Sequence, residues 1–114
     1  MKLIQIYECL CDETRLRILH LLSRRALCVW QIQEVLREPQ VKISKHLAYL
    51  RLRGMVEAGR QANEMRYRLP VRRPPELVRH LKCLQDCVTE NAYLRADLKR
   101  LEQLEPVVGK RASP

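Results

Sequence analysis

Apolar positions along this chain change period several times, and each change marks an element. Leu3, Ile6, Tyr7 and Leu10 recur at helical spacing and predict a short helix over residues 2–10. Asp12 reads as the N-cap of the next helix, because its carboxylate can accept backbone N–H bonds two or three residues on. Glu13 adds favourable charge at that helix's start. Over residues 13–23 the pattern turns Leu16, Leu19, Leu21 and Leu22 inward and Arg15 and Arg17 outward. Ala26 to Val29 reads as a short extended piece, and residues 31–37 as a third helix carrying Ile32, Val35 and Leu36. That helix ends before Pro39, since the residue preceding a proline disfavours α geometry.

The stretch from Gln40 to Gly54 carries the sharpest pattern. Ile43, Leu47 and Leu50 form one narrow apolar stripe, while Lys42, Lys45, His46, Tyr49 and Arg53 line the opposite side. Pro39 before it and Gly54 after it are start and stop signals in the expected order. Two short helices joined by a tight turn, the second one basic outward, form the helix-turn-helix arrangement. After Gly54 the helical period ends. Residues 55–60 and 64–69 are two extended runs around Gln61-Ala62-Asn63, and Asn at such a tip tolerates left-handed geometry, so a hairpin follows. Arg60, Arg66 and Arg68 decorate it, as expected of a basic wing.

Pro70, Pro74 and Pro75 interrupt the chain before a long helical pattern from Glu76 to about Glu105. Leu77, Leu81, Leu84 and Val88 form one register, and Leu94, Leu98 and Leu101 another. The two do not join across Thr89-Glu90-Asn91, so a kink or break is expected there. A seam of this kind, outlasting a small core, usually pairs with another chain. The division is 1–73 as a winged helix-turn-helix unit, 74–105 as a dimerisation or sensor helix or helix pair, and 106–114 as a disordered tail. The fold class is mainly α with a small β-hairpin.

Composition sharpens this in two ways. The formal charge of +9 is local: residues 40–73 hold nine Lys or Arg against two acids, whereas residues 76–114 hold seven against six. A local basic surplus points to a polyanionic partner more than to general solubility. The N-terminal apolar run is broken by Gln5, Tyr7 and Glu8, so neither a signal peptide nor a membrane span is expected, and the expected location is the cytoplasm. In that reducing compartment the five cysteines (9, 11, 28, 83 and 87) are thiols rather than a disulfide framework. A thiol-disulfide enzyme is disfavoured, because the chain lacks CxxC, a Gly-rich cofactor loop and a paired acid–base set.

Four strings resemble the ArsR/SmtB family of winged-helix metalloregulators. They are Asp12-Glu13-Thr14-Arg15-Leu16-Arg17-Ile18-Leu19; Leu27-Cys28-Val29; Gln40-Val41-Lys42-Ile43-Ser44-Lys45-His46-Leu47; and Gly54-Met55-Val56 followed by Tyr67-Arg68-Leu69. Together they cover roughly residues 8–69 in the family's order and spacing. The resemblance implies a homodimer joined through its first and last helices, and binding to double-stranded operator DNA that an inducer weakens. It places DNA contacts at Gln40, Lys42, Ser44, Lys45 and His46. Gln suits adenine, Lys suits guanine and Ser suits phosphate or base. For His46, packing on the turn stands beside the DNA contact. Arg60 and Arg66 are expected on phosphate or in a minor groove, and Arg68 in solvent.

The inducer half is less complete. The family's arsenite-type site uses three cysteines at the start of the helix before the reading helix. Here Cys28 holds the first position, Trp30 replaces the second and Gln33 the third. The family's zinc site needs two spaced histidines on the last helix, where this chain has only His80. His80, Cys83 and Cys87, at i, i+3 and i+7, do share one helix face. Cys83 and Cys87, with Cys28 of the same or the other subunit, could hold a thiophilic ion such as As(III) or Sb(III) as inducer. The same thiols could instead form a disulfide or polysulfide, or simply fill the seam. Cys9 and Cys11 are additional thiols that the bend at Asp12 could bring together. No resident cofactor is expected. A winged-helix module that senses nothing, binding DNA constitutively or docking a protein, is the reading from a different class.

Overall fold

The computed structural model describes residues 3–104; the tail assigned to 106–114, and Glu105, lie outside them. Helices α1 (Leu3–Leu10) and α2 (Glu13–Leu22) lead into strand β1 (Leu27–Cys28). Helices α3 (Val29–Leu36) and α4 (Gln40–Leu52) follow, then strands β2 (Glu57–Gln61) and β3 (Glu64–Arg68). Helices α5 (Pro75–Asp86) and α6 (Ala92–Gln103) complete the described chain. This is a winged helix-turn-helix.

Local chemistry sets the boundaries. Asp12 caps α2 as expected, its Oδ1 accepting from the Arg15 N–H at 3.0 Å. The third helix starts at Val29, two residues earlier than its apolar pattern indicated. Gln31 reaches back so that its Oε1 accepts from the Cys28 N–H at 2.8 Å, which draws the first turn forward. Arg37, at φ 58°, ends α3 in left-handed geometry, and Gly54 at φ +75° does the same after α4. A Cβ at Gly54 would meet nothing within 4 Å, so conformation rather than space requires glycine there. The long C-terminal pattern is two helices, broken at the predicted place. Asn91 caps the second, its side chain accepting from the Leu94 N–H at 3.0 Å.

The wing is broader than a hairpin. Ala62 and Asn63 both have positive φ and make the tight turn between β2 and β3. β1 adds to the other edge of β3, pairing Leu27 with Tyr67 and Cys28 with Arg66, so the sheet order is β1-β3-β2. A two-residue strand carries too little alternation to announce its partner in sequence.

The core is aliphatic. α2 lies at its centre, packed by α1, α3, α4, α5 and α6, with Ile18, Leu19, Leu21, Ile32, Val35, Ile43, Leu47 and Leu50 excluded from solvent. Leu77, Leu81 and Leu101 join the same cluster, so α5 and α6 share one core with the winged unit. Three inward–outward assignments are corrected. Arg17, expected outside, is 4% exposed. Cys9 is fully buried in the core while Cys11 is exposed, so the bend at Asp12 does not present them as a surface thiol pair. On α1, Ile6 is the buried anchor, and Leu3 and Tyr7 are exposed. Among the described residues no helix is long and apolar enough to cross a membrane.

Candidate nucleic-acid interface and thiol sites

Burying Ile43, Leu47 and Leu50 completely fixes the rotation of α4 about its axis. Gln40, Lys42, Ser44 and Lys45 are consequently all exposed on the face opposite the core. Val41 joins them at 81% exposure, an apolar side chain that the charge pattern gave no reason to single out. Lys42 Nζ is held 3.1 Å from Glu38 Oε1. Tyr49 lies half-buried between two guanidiniums, Arg53 at 3.4 Å and Arg15 at 4.1 Å from its ring centre. Stacking of this kind stiffens the end of α4 while leaving positive charge beside it.

His46 stands apart from that exposed row. It is half-buried, with Nε2 3.8 Å from Asp12 Oδ1 at the start of α2. Burial pushes its pKa below the usual histidine value; Arg15, Lys42 and Lys45 push the same way, and Asp12 opposes them. Burial raises the Asp12 pKa, but the Arg15 N–H, His46 and the Arg15 charge outweigh it, and the carboxyl stays below its ordinary range. A neutral His46 at pH 7 therefore packs the reading helix onto the α2 cap, the packing alternative to a DNA contact.

On the wing Arg60 is exposed near the tip. Arg66, on β3, is half-buried, and among the described residues no acceptor reaches its Nε. Arg68 is exposed and 3.4 Å from Glu57 Oε1 across the hairpin.

The thiols fall in separate places. Cys28 is 2% exposed; its Sγ donates to Glu64 Oε2 at 3.3 Å, tying the start of α3 to the wing. It lines a cleft of about 240 Å³ with Trp30, Gln33, Gln40 and Met65. Cys83 and Cys87 are exposed on α5, close enough that the Cys83 thiol, by hydrogen bonding and charge, raises the Cys87 pKa. His80, on the same helix, meets the Tyr7 ring edge-on at 4.9 Å. Burial pushes the Cys9 thiol up, against Arg15 and Arg53. Among the described residues no three His, Cys, Asp or Glu side chains converge where they could hold a metal ion. Within one protomer, Cys28 at the end of β1 therefore does not join Cys83 and Cys87 at the end of α5 in a three-thiol site.

A buried charge cluster was missed altogether. Asp97 of α6, fully buried, accepts from Arg17 Nε and Nη2, both at 2.8 Å, and from Arg100 Nη2 at 3.0 Å. A signal existed. Thr14, Arg17, Ile18 and Leu21 share one face at i, i+3, i+4 and i+7, as do Leu94, Asp97, Leu98 and Leu101. Opposite charges on two otherwise apolar stripes can only be buried by pairing.

Residues 12–58 match the family model described as bacterial regulatory protein, arsR family. An arsenic resistance transcriptional regulator of Pseudomonas putida is 35% identical over 100 residues, covering 87% of this chain and 77% of that protein. The arsenical resistance operon repressor of Escherichia coli is 45% identical over 67 residues, 58% of this chain and 57% of that protein. Among solved structures, a homodimeric winged helix-turn-helix DNA-binding domain from Mycobacterium bovis superposes with a TM-score of 0.62. Its identity is 25%, over 76% of this chain and 78% of that one.

Proposed function

The chain belongs to the arsR family of bacterial regulatory proteins, a family of regulators and not of enzymes, and from that premise we propose that it is a cytoplasmic, homodimeric transcriptional repressor. In this reading it binds an inverted-repeat operator and is released by a thiol-directed inducer. The observation that carries the reading is the exposed row Gln40, Lys42, Ser44 and Lys45 on a helix whose rotation is fixed by three fully buried side chains. A helix so held can enter a major groove without rearranging. Gln40 and the lysines address base edges or phosphate, Ser44 addresses phosphate, and Arg60 and Arg66 extend the cationic surface along the wing. Residues 1–73 read the DNA, and residues 74–105 dimerise and sense.

Dimerisation follows from what the single chain leaves uncovered. Ile4 is 69% exposed and Tyr7 45% on α1, with Val78 at 48% on α5. A second copy would cover these side chains, and the Mycobacterium bovis domain is described as homodimeric. The inducer is a soft species, arsenite or antimonite, held by Cys83 and Cys87 with a third donor contributed across the dimer. This rests on two exposed thiols one helical turn apart, at i and i+4, and on the relatives' arsenic-resistance names. A second copy would cover exposed seam residues as well, so seam filling stands beside this reading. The same i, i+4 spacing supports a second reading, in which oxidant or polysulfide links the two sulfurs.

Titrating the fully reduced protein with arsenite, while following thiolate absorption and operator release together, tests the assignment. Release in step with a sulfur–arsenic absorption band is expected. Release by polysulfide alone would transfer the assignment to the second reading. Operator binding that answers neither agent would leave a non-sensing DNA-binding module.

A further inference from the structure

From the buried cluster on α6 we infer that Asp97 is the positioning residue for the reading helix, acting through Arg17 and Arg100 on the turn that launches α4. The inference rests on the DNA-reading role assigned to α4.

The geometry is a clamp on the last turn of α3. A helix leaves its final carbonyls without intrahelical donors. The Gln33 carbonyl is satisfied locally, by the Arg37 N–H at 2.8 Å. The Leu36 carbonyl accepts from Arg17 Nη2 at 3.1 Å, and the Val35 carbonyl accepts from Arg100 Nε. Both guanidiniums are oriented by the same carboxylate: Asp97 binds Arg17 through two oxygens and Arg100 through one of them. α3 therefore ends against side chains of α2 and α6 that Asp97 holds in place.

Three residues separate that end from α4. Arg37 is in left-handed geometry, Glu38 follows, and Pro39 leads into Gln40. So short and constrained a link transmits any displacement of α3's last turn to the start of α4. The cluster also reaches α4 directly. Arg17 Nη1 lies 3.8 Å from Glu38 Oε2, and the other Glu38 oxygen holds Lys42 Nζ at 3.1 Å. Asp97, Arg17, Glu38 and Lys42 thus alternate in charge from the C-terminal helix to the DNA-facing one. Tyr93 covers the Arg17 guanidinium, 5.1 Å from its ring centre, and limits water access.

A merely structural ion pair would be replaceable by apolar side chains of similar size, since such exchanges of buried pairs often keep or raise stability. That difference supplies the test. The Arg17→Met/Asp97→Leu variant is compared with the wild type by thermal unfolding, operator binding over a salt series and amide exchange at Arg37 and Ile43–Leu47, the hydrogen-bonded amides on either side of the link. Positioning by Asp97 predicts near-wild-type unfolding but roughly tenfold weaker binding at every salt concentration. The slope against log salt should stay unchanged, because no phosphate contact has been removed. Exchange at Arg37 and Ile43–Leu47 should quicken in the free protein. Wild-type affinity and protection in the apolar variant would overturn the inference. If that variant does not fold, Arg100→Met, at a partly exposed position, removes the Val35 carbonyl's donor and one donor to Asp97 while leaving the Arg17 pair, and should quicken the same amides; unchanged protection would again overturn it. Should the wild type bind no inverted repeat, the DNA-reading role fails, and amide exchange still decides whether Asp97 holds the turn.

Discussion

The reading head and the C-terminal helix pair use the same kinds of residue and finish differently. In α4 the apolar stripe is consumed within the chain: Ile43, Leu47 and Leu50 are all at 0% exposure, and every exposed group opposite them is polar or cationic except Val41, Ala48 and Leu52. In α5 and α6 the stripe is also buried, at Leu77, Leu81, Leu94 and Leu101. Yet Val78 and Tyr93 stay about half exposed and both cysteines face outward. The first region is complete in one copy and defines a surface. The second holds two sulfur donors where a soft trivalent ion wants about three, and so needs a second copy to become a site. On the proposed reading, DNA recognition is a property of the fold and sensing a property of the assembly.

The largest effect that would break this contrast is at α4. Lys42→Ala/Lys45→Ala removes four cations from the proposed dimer's DNA face; Lys42 is already shared with Glu38 at 3.1 Å, so Lys45 carries most of the loss, and at up to about 1 kcal/mol each operator affinity should fall roughly 10²–10³-fold. The slope of log affinity against log salt should flatten by roughly one for each lost phosphate contact. Filter binding or gel shift across a salt series measures both. Normal protection of the repeat by this variant would remove the reading-helix assignment.

Next comes the assembly. Ile4→Glu places a charge on an α1 side chain that is 69% exposed in the single chain. Protomer unfolding should change little, whereas dimer affinity should drop by roughly 10²-fold, read by sedimentation. A dimer of unchanged strength would mean that α1 is not part of the contact. Cys83→Ser/Cys87→Ser should act in the opposite sense: operator affinity within about twofold of wild type, as for exposed positions elsewhere, with release by arsenite abolished. Release that survives this change moves the sensor to Cys28 or Cys11.

What the sequence disclosed follows the same division. The stripe of α4, the cap at Asp12 and the break at 89–91 were legible, because each is set by neighbours within one helical turn or by a mismatch of two registers. Arg17 was not. Its partner lies 80 residues away on α6, and a lone arginine on a leucine-rich helix reads as solvated until Asp97 is placed beside it. Chain spacing is silent about depth, so it places Cys9 beside Cys11 as a thiol, whereas the fold turns Cys9 into the core. The pairing of β1 with β3 was hidden for want of length. Of the site residues, the exposed row of α4 was readable from periodicity. That His46 leans on Asp12 depends on how α4 crosses α2, which no local pattern encodes.

A smaller effect concerns pH. His20 is fully buried with neither ring nitrogen hydrogen-bonded among the described residues. Burial lowers its pKa, Arg24 adds to that and Asp97 opposes it. Its folded value thus lies below that of the unfolded chain, so between the two the unfolded state binds the extra proton. Stability is whole above about pH 6.5 and declines as pH falls toward the folded value, by at most about 1.4 kcal/mol per pH unit for this residue. His46, also lowered, adds in the same direction and window. Asp12, a depressed carboxyl, acts only lower, where stability is lost as pH falls through its folded value. Melting curves from pH 7.5 to 5 should show the decline, and His20→Leu should flatten it. A steeper decline in that variant would contradict the assignment.

The smallest effect sharpens the contrast inside the reading half itself. Arg68 and Glu57 form a pair across the wing, 3.4 Å apart with side chains 51% and 46% exposed. Their attraction is screened by water and offset by the cost of ordering two long side chains, which leaves about 0–1 kcal/mol. Arg68→Ala should therefore shift stability by about 0.5 kcal/mol or less. Its effect on DNA separates two kinds of wing cation. Arg60→Ala, at an exposed tip with no acid beside it among the described residues, should weaken operator binding and lower the salt slope. Arg68→Ala should leave the slope alone, because Glu57 already neutralises that charge and no counterion is released when DNA arrives. Equal slopes for the two variants would mean that the wing meets DNA along its whole length, and that the Glu57 pair opens on binding.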